Sequence, residues 1–320
     1  MSLIASLVYL LVGFVLLVWS ADRLVAGASA LARNFGISAL VVGVTIVGFG
    51  TSAPEMVVSA LASLEGNPSL AVGNALGSNI ANIGLILGLT CLVYPMSIDR
   101  STCFREIPSL AAVTALTALL MIDGSLSRLD GMILAGGLAL FIGAMLYRGR
   151  REVDLDPATR ALVNEISQDM NNRAATAWTL VGLVVLPLSA QLLVTGAVGM
   201  ATLLGVSEAV VGLTIVALGT SLPELAAAMA SALRKEDDLC IGNILGSNLF
   251  NLLGVLGIAA LIHPMAIESL LIVRDLPVVA ITFMMLAGMA VFGGRIGRVS
   301  AGVLLTTYIV YQFAVFQQAL

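Results

Sequence analysis

The chain has 320 residues, 59% hydrophobic and 11% charged, with a mean hydropathy of +1.05 and a formal net charge of −4. Its length has room for two soluble domains, but apolar runs long enough to cross a bilayer recur from end to end and exclude that reading. The net charge says little about partners when most of the surface faces lipid, no nucleic-acid partner is expected, and Cys91, Cys103 and Cys240, scattered and odd in number, form neither a disulfide framework nor a metal spacing.

The first run, Leu3–Ser20, has no Lys or Arg before it, unlike a cleavable signal, and reads as a retained transmembrane helix. The apolar pattern predicts spans near 3–31, 37–64, 70–95, 107–122 and 131–147, then near 175–203, 208–233, 239–263, 276–292 and 299–317. Between the two sets, 148–174 is the only sizeable loop. It carries Asp154, Asp156, Glu165 and Asp169 among arginines, without EF-hand spacing, and reads as a solvated linker with one short helix.

With the amino terminus outside, the breaks that become cytoplasmic hold twelve Lys or Arg residues. Those left external hold only Arg128 and Arg274. This positive-inside asymmetry places both termini outside and the 148–174 linker in the cytoplasm. Five spans per half is an odd number, so the second half, 175–320, must enter the membrane from the side opposite to the first, 1–147.

The halves also share sequence. Gly50-Thr51-Ser52-Ala53-Pro54-Glu55 returns as Gly219-Thr220-Ser221-Leu222-Pro223-Glu224, and Gly73-Asn74, Gly77-Ser78-Asn79 and Asn82 return as Gly242-Asn243, Gly246-Ser247-Asn248 and Asn251. Every pair is offset by 169 residues, and about 26 of 59 positions agree between 41–99 and 210–268. Ionisable residues inside membrane helices are costly, so a Glu at equivalent points of both halves marks an ion pathway.

Pro54 lacks an N–H and clashes with the carbonyl of Gly50, so the helix should break there and free carbonyls at Val47 and Gly48. Discontinuities are expected in spans 2, 3, 7 and 8. Thr51, Ser52 and Glu55 lie within one turn, and Asn74, Ser78 and Asn82 share one face of the next span. The second half supplies Ala217, Thr220, Ser221 and Glu224, then Asn243, Ser247 and Asn251. All these donors are oxygens, which suits hard cations such as Ca²⁺ and Na⁺, and two carboxylates would neutralise one Ca²⁺. When that ion leaves, other cations must replace it, so exchange follows more naturally than conduction.

Other polar residues read as structural. His263 sits at a span end, Asp22 and Arg23 suit local pairing, and Arg234–Asp238 reads as a solvated turn.

Gly-Thr-Ser-x-Pro-Glu followed by Gly-Asn-x-x-Gly-Ser-Asn-x-x-Asn, twice and in inverted halves, resembles the calcium/cation antiporter superfamily, above all its compact prokaryotic sodium/calcium exchangers. The resemblance implies an all-α membrane fold of ten helices, built as two inverted five-helix repeats and working by alternating access. It implies Glu55 and Glu224 as principal Ca²⁺ ligands. Thr51, Ser52, Ser78, Thr220, Ser221 and Ser247 would coordinate Na⁺ with the carbonyls of Gly48 and Ala217, and Asn82 matches the family's central Asn. Asn251 departs from exchangers with Asp there, which leaves H⁺ open as the coupling ion. By the same resemblance, spans 1 and 6 slide against the other eight. The implied partners are inorganic cations and the lipid bilayer of a prokaryotic inner membrane, with no cofactor, no enzyme activity and no obligatory protein partner. An intramembrane enzyme would want a Ser/His, paired-Asp or His-metal arrangement, and a non-transporting scaffold would merely pair the two Glu residues inside.

Overall fold

The computed structural model describes residues 2–153, 170–204 and 217–319. Its helices are α1 (Leu3–Phe35), α2 (Ala39–Thr51), α3 (Ala53–Leu64), α4 (Leu70–Val93), α5 (Thr102–Met121) and α6 (Arg128–Tyr147). There follow α7 (Asn172–Leu203), α8 (Leu222–Leu233), α9 (Asp237–Ile262), α10 (Leu271–Gly293) and α11 (Arg298–Gln317). Among the described residues eight helices are long and apolar enough to cross a membrane, and α2 with α3, an apolar pair bent by 44°, make a ninth where the pair counts as one broken span. The span expected at 208–233 is described only from residue 217, where a short turn, Ala217–Gly219, leads into α8. The acidic residues of the 148–174 linker, Asp154 to Asp169, lie outside the described residues.

α4 and α9 are the enclosed centre, whereas α1, α6, α7 and α11 present most of their surface outward. That surface is apolar, with Phe14, Leu140, Leu188 and Val299 exposed, as lipid-facing helices require. Cys91, Cys103 and Cys240 are buried free thiols.

α1 and α7 pack along each other. Ser2 caps α1 by accepting the Ala5 N–H, and Asn171, 169 residues on, caps α7 by accepting the Ala174 N–H. Glycines set their spacing. A Cβ on Gly13 would lie 2.5 Å from the Leu193 backbone nitrogen, and one on Gly182 would lie 2.5 Å from the Leu24 Cβ. At the other ends Gly27 faces Ala175 and Thr179 (2.7 Å), and Gly196 faces Leu10 (2.6 Å). Early residues of α1 thus face late residues of α7, so the helices are antiparallel, and positions 169 apart exchange roles. Small residues permit such close approach. Gly13→Val or Gly182→Val should therefore cost about 1–3 kcal/mol each through overpacking, read as a lower unfolding midpoint in detergent.

Two short antiparallel strand pairs tie the halves together. β1 (Met96–Ser97) pairs with β4 (Arg295–Ile296), and β2 (Ser125–Leu126) pairs with β3 (Met265–Ala266). The scheme is unchanged when the halves are exchanged, as a two-fold relation produces.

The discontinuities expected in spans 3 and 8 take another form. α4 and α9 remain helical and widen into π-helical turns at Asn82–Leu87 and Phe250–Val255. No Pro interrupts Gly-Asn-x-x-Gly-Ser-Asn, so each backbone N–H keeps an acceptor and the helix swells without breaking.

Candidate cation site

Span 2 breaks at Ser52 (φ −86°, ψ 1°), and Ser221 takes nearly the same conformation (φ −89°, ψ 3°) before α8. Pro54 and Pro223 fall in the first turn of the following helix, where their missing N–H leaves no partner unsatisfied. Ser52 and Ser221 start those helices by accepting the N–H groups of Met56 and Leu225, each at 3.1 Å. The break brings the carbonyl end of α2, with its partial negative charge, to the place where Glu55 begins α3. The expected freeing of the Gly48 carbonyl does not occur. It accepts the Ser52 N–H at 3.1 Å and the Thr51 hydroxyl at 3.4 Å, because the chain closes one more turn before bending.

Glycines also draw α2 against α9. A Cβ on Gly43 would lie 2.6 Å from the Leu239 carbonyl, and one on Gly246 would lie 2.5 Å from the Val44 carbonyl. This contact sets the Thr51 hydroxyl 3.1 Å from Asn243 Oδ1 and 3.3 Å from the Ser247 hydroxyl. Ser52, in the first half, donates to Glu224 Oε1 of the second at 3.2 Å.

Glu55 and Glu224 are 1% and 2% exposed. Ser52, Ser78, Asn82, Ser221, Ser247 and Asn251 are buried as well, and Thr220 is half-buried. Thr220 occupies the turn between Ala217–Gly219 and α8. Both Glu55 carboxyl oxygens, Glu224 Oε2 and the side-chain polar atoms of Asn82 and Asn251 are buried without a hydrogen-bond donor or acceptor among the described residues. Buried polar groups left unpaired are expensive. A cation amid carboxyl, hydroxyl and amide oxygens would satisfy the oxygens, and the donor set suits hard ions.

Asn74 was read from sequence as one more face residue. Its amide instead donates to the Glu55 carbonyl (3.2 Å) and the Ser59 hydroxyl (2.9 Å), fastening α3 to α4. The duplication does not flag Ser59, whose counterpart is Ala228. A second duplicated acid was missed too. Arg105-Glu106-Ile107-Pro108 returns as Arg274-Asp275-Leu276-Pro277, at the same 169-residue offset, with Glu106 and Asp275 both buried. Arg274 holds Asp275 through two hydrogen bonds, of 2.6 and 2.9 Å.

The polar residues read as peripheral need two corrections. Asp22 and Arg23 do not pair with each other, since Asp22 bonds Arg234 and Arg23 lies over the Trp178 ring, 4.8 Å from its centre. Nor is Arg234–Asp238 merely solvated, because Arg234, Glu236 and Asp237 each bind a distant part of the chain. His263 is exposed at the end of α9.

The sequence profile described as "Sodium/calcium exchanger protein" matches residues 5–147 and 174–317. The chain belongs to that family. It is 45% identical to the putative antiporter CaxA of Alkalimonas amylolytica over 317 residues, covering 98% of this chain and 99% of CaxA. It is 29% identical to the sodium/calcium exchanger MaX1 of Methanosarcina acetivorans, over 96% of this chain and 97% of that protein. Its fold matches the sodium-calcium exchanger NCX_Mj soaked with 100 mM Na⁺ and 10 mM Sr²⁺, with a TM-score of 0.84 and 31% identity over 97% of this chain and 98% of the other. The protein is accordingly a multi-pass membrane cation antiporter of the exchanger family, a class of transporters.

Proposed function

We propose that the protein exchanges Ca²⁺ for Na⁺ by alternating access, with no cofactor, across a prokaryotic inner membrane. The observation that carries this reading is that Glu55 and Glu224 of opposite halves are both buried and are linked through Ser52, one turn before Glu55, which donates to Glu224, while three of their four carboxyl oxygens have no hydrogen-bond donor among the described residues. In this reading 1–147 and 175–320 are inverted five-helix repeats joined by the cytoplasmic linker 148–174, and both termini are external. Glu55 and Glu224 bind Ca²⁺. Thr51, Ser52, Ser78, Thr220, Ser221, Ser247 and the Gly48 and Ala217 carbonyls serve Na⁺, with Asn82 and Asn251 completing the oxygen set. The Gly48 carbonyl would take Na⁺ in place of the Thr51 hydroxyl, which it accepts at 3.4 Å. Ca²⁺ is neutralised by the two carboxylates, and its departure leaves buried negative charge that only another cation can offset. One chain supplies the whole set.

A second reading, Ca²⁺/H⁺ exchange on the same fold, is favoured by Asn251, a neutral side chain at a position where the sequence resemblance implies Asp in some exchangers. The two readings separate in proteoliposomes. A Na⁺ gradient at equal pH should drive radioactive Ca²⁺ uptake, and a pH gradient without Na⁺ should drive none. The reverse pattern would establish proton coupling and reject Na⁺.

A further inference from the structure

We propose that Asp22–Arg234 and Arg33–Glu236 form a one-sided electrostatic latch that favours the conformation in which their face of the protein is closed. The proposal rests on the alternating-access reading above. Arg234, at the end of α8, holds Asp22 of α1 at 2.6 Å, and Glu236 holds Arg33 in the last turn of α1 at 2.9 Å. The α8–α9 turn is fixed in its own place, because Asp237 Oδ2 accepts both the backbone N–H and the hydroxyl of Ser97 in β1, at 3.0 and 2.9 Å. Between the two latch residues Lys235 takes a left-handed backbone (φ 59°), where the counterpart turn has Gly66 (φ 72°). A side chain at such a position is disfavoured, so the turn tolerates local strain in order to aim its charges.

The duplication makes this informative. The counterpart of Asp22–Arg234 is Gln191 and Glu65, that of Arg33–Glu236 is Thr202 and Asn67, and that of Ser97–Asp237 is Ala266 and Pro68. Neither ion pair, nor the Ser97–Asp237 hydrogen bonds, can form at the opposite face. In a molecule whose halves exchange by a two-fold relation, opening to one side and opening to the other are equal in energy unless the sequence breaks the equivalence. These charges break it. The paired side chains are between a quarter and about half exposed, and exposed pairs shift an equilibrium by about 1.5- to 5-fold each.

The test uses the full chain in nanodiscs, with nitroxide labels on cysteines at Phe35 and Leu233, both exposed and on opposite sides of the latch. Pulsed electron paramagnetic resonance should give one dominant short distance. The double variant Asp22→Asn/Arg33→Gln should raise a longer-distance population by about 2- to 25-fold, the product of the two pairs. The charge swap Asp22→Arg/Arg234→Asp, which keeps one pair in reversed sense, should return the wild-type distribution. The ratio of Ca²⁺ half-saturation on the two membrane sides should move toward one in the double variant and back in the swap. An unchanged distance distribution in the double variant, or a swap indistinguishable from it, overturns the latch. Absence of flux in the wild type under every gradient would reject the antiport reading alone, since the distance measurement judges the latch without transport.

Discussion

Glu55→Gln and Glu224→Gln should each reduce Na⁺-driven Ca²⁺ uptake into proteoliposomes to background, a loss on the order of a hundredfold or more, while the protein still inserts and folds. The substitution keeps the shape of the side chain and removes its charge. A buried divalent cation then retains one carboxylate, and breaking a buried charge pair by removing one partner costs about 3–5 kcal/mol, equivalent to roughly two to four decades in affinity. Folding should not suffer, because both Glu55 oxygens lack donors among the described residues and a neutral amide at that depth is less costly than an unpaired anion. The two variants should differ in one respect. Ser52 donates to Glu224 Oε1, so Glu224→Gln with its amide oxygen toward Ser52 preserves that bond, whereas Glu55→Gln has no such contact to preserve. Uptake measured with radioactive Ca²⁺, alongside circular dichroism and size-exclusion profiles, decides it. Wild-type flux in either variant removes that residue from the ion site.

The membrane class and the residues to examine were legible because duplication acts as an internal comparison. Thr51, Ser52 and Glu55 stand out once they recur at the same offset with every spacing kept. What stayed hidden depends on contacts between halves. The hydrogen bonds from Ser52 to Glu224 and from Thr51 to Asn243 join residues 172 and 192 positions apart, and no local pattern specifies them. The π-helical turns of α4 and α9 escaped because propensity distinguishes helix from break, not one helical winding from another. Ser59 and the Asp22–Arg234 pair escaped for the converse reason. They are where the halves differ, and a comparison built on sameness passes over them. Glu106 and Asp275 are a different case. They recur at the same offset but lie just beyond 41–99 and 210–268, the segments over which the halves agree.

Gly246→Val should impair transport about as severely as loss of a carboxylate, though it touches no charged group. Its Cβ would lie 2.5 Å from the Val44 carbonyl and 2.8 Å from the Val44 Cα. Both are backbone atoms of α2, so no side-chain rotation relieves the clash and α2 must move away from α9. That displacement separates the Thr51 hydroxyl from Asn243 and Ser247, which it meets at 3.1 and 3.3 Å. It also shifts Ser52, the next residue, relative to Glu224. Displacement of about 1 Å at a reacting or binding centre can cost on the order of a hundredfold, and overpacking adds about 1–3 kcal/mol against folding. Gly246→Ala meets the same backbone contact with a single methyl and should retain a small fraction of wild-type flux. Gly136→Ala, at an exposed position of α6, serves as the control for adding a methyl to a membrane helix and should transport normally. Comparing Ca²⁺ flux with unfolding midpoint across the three variants separates the two costs. If Gly246→Ala loses stability in proportion to activity, α2 and α9 are merely packed together. If activity falls far more than the midpoint, the glycine contact sets the geometry of the ion site.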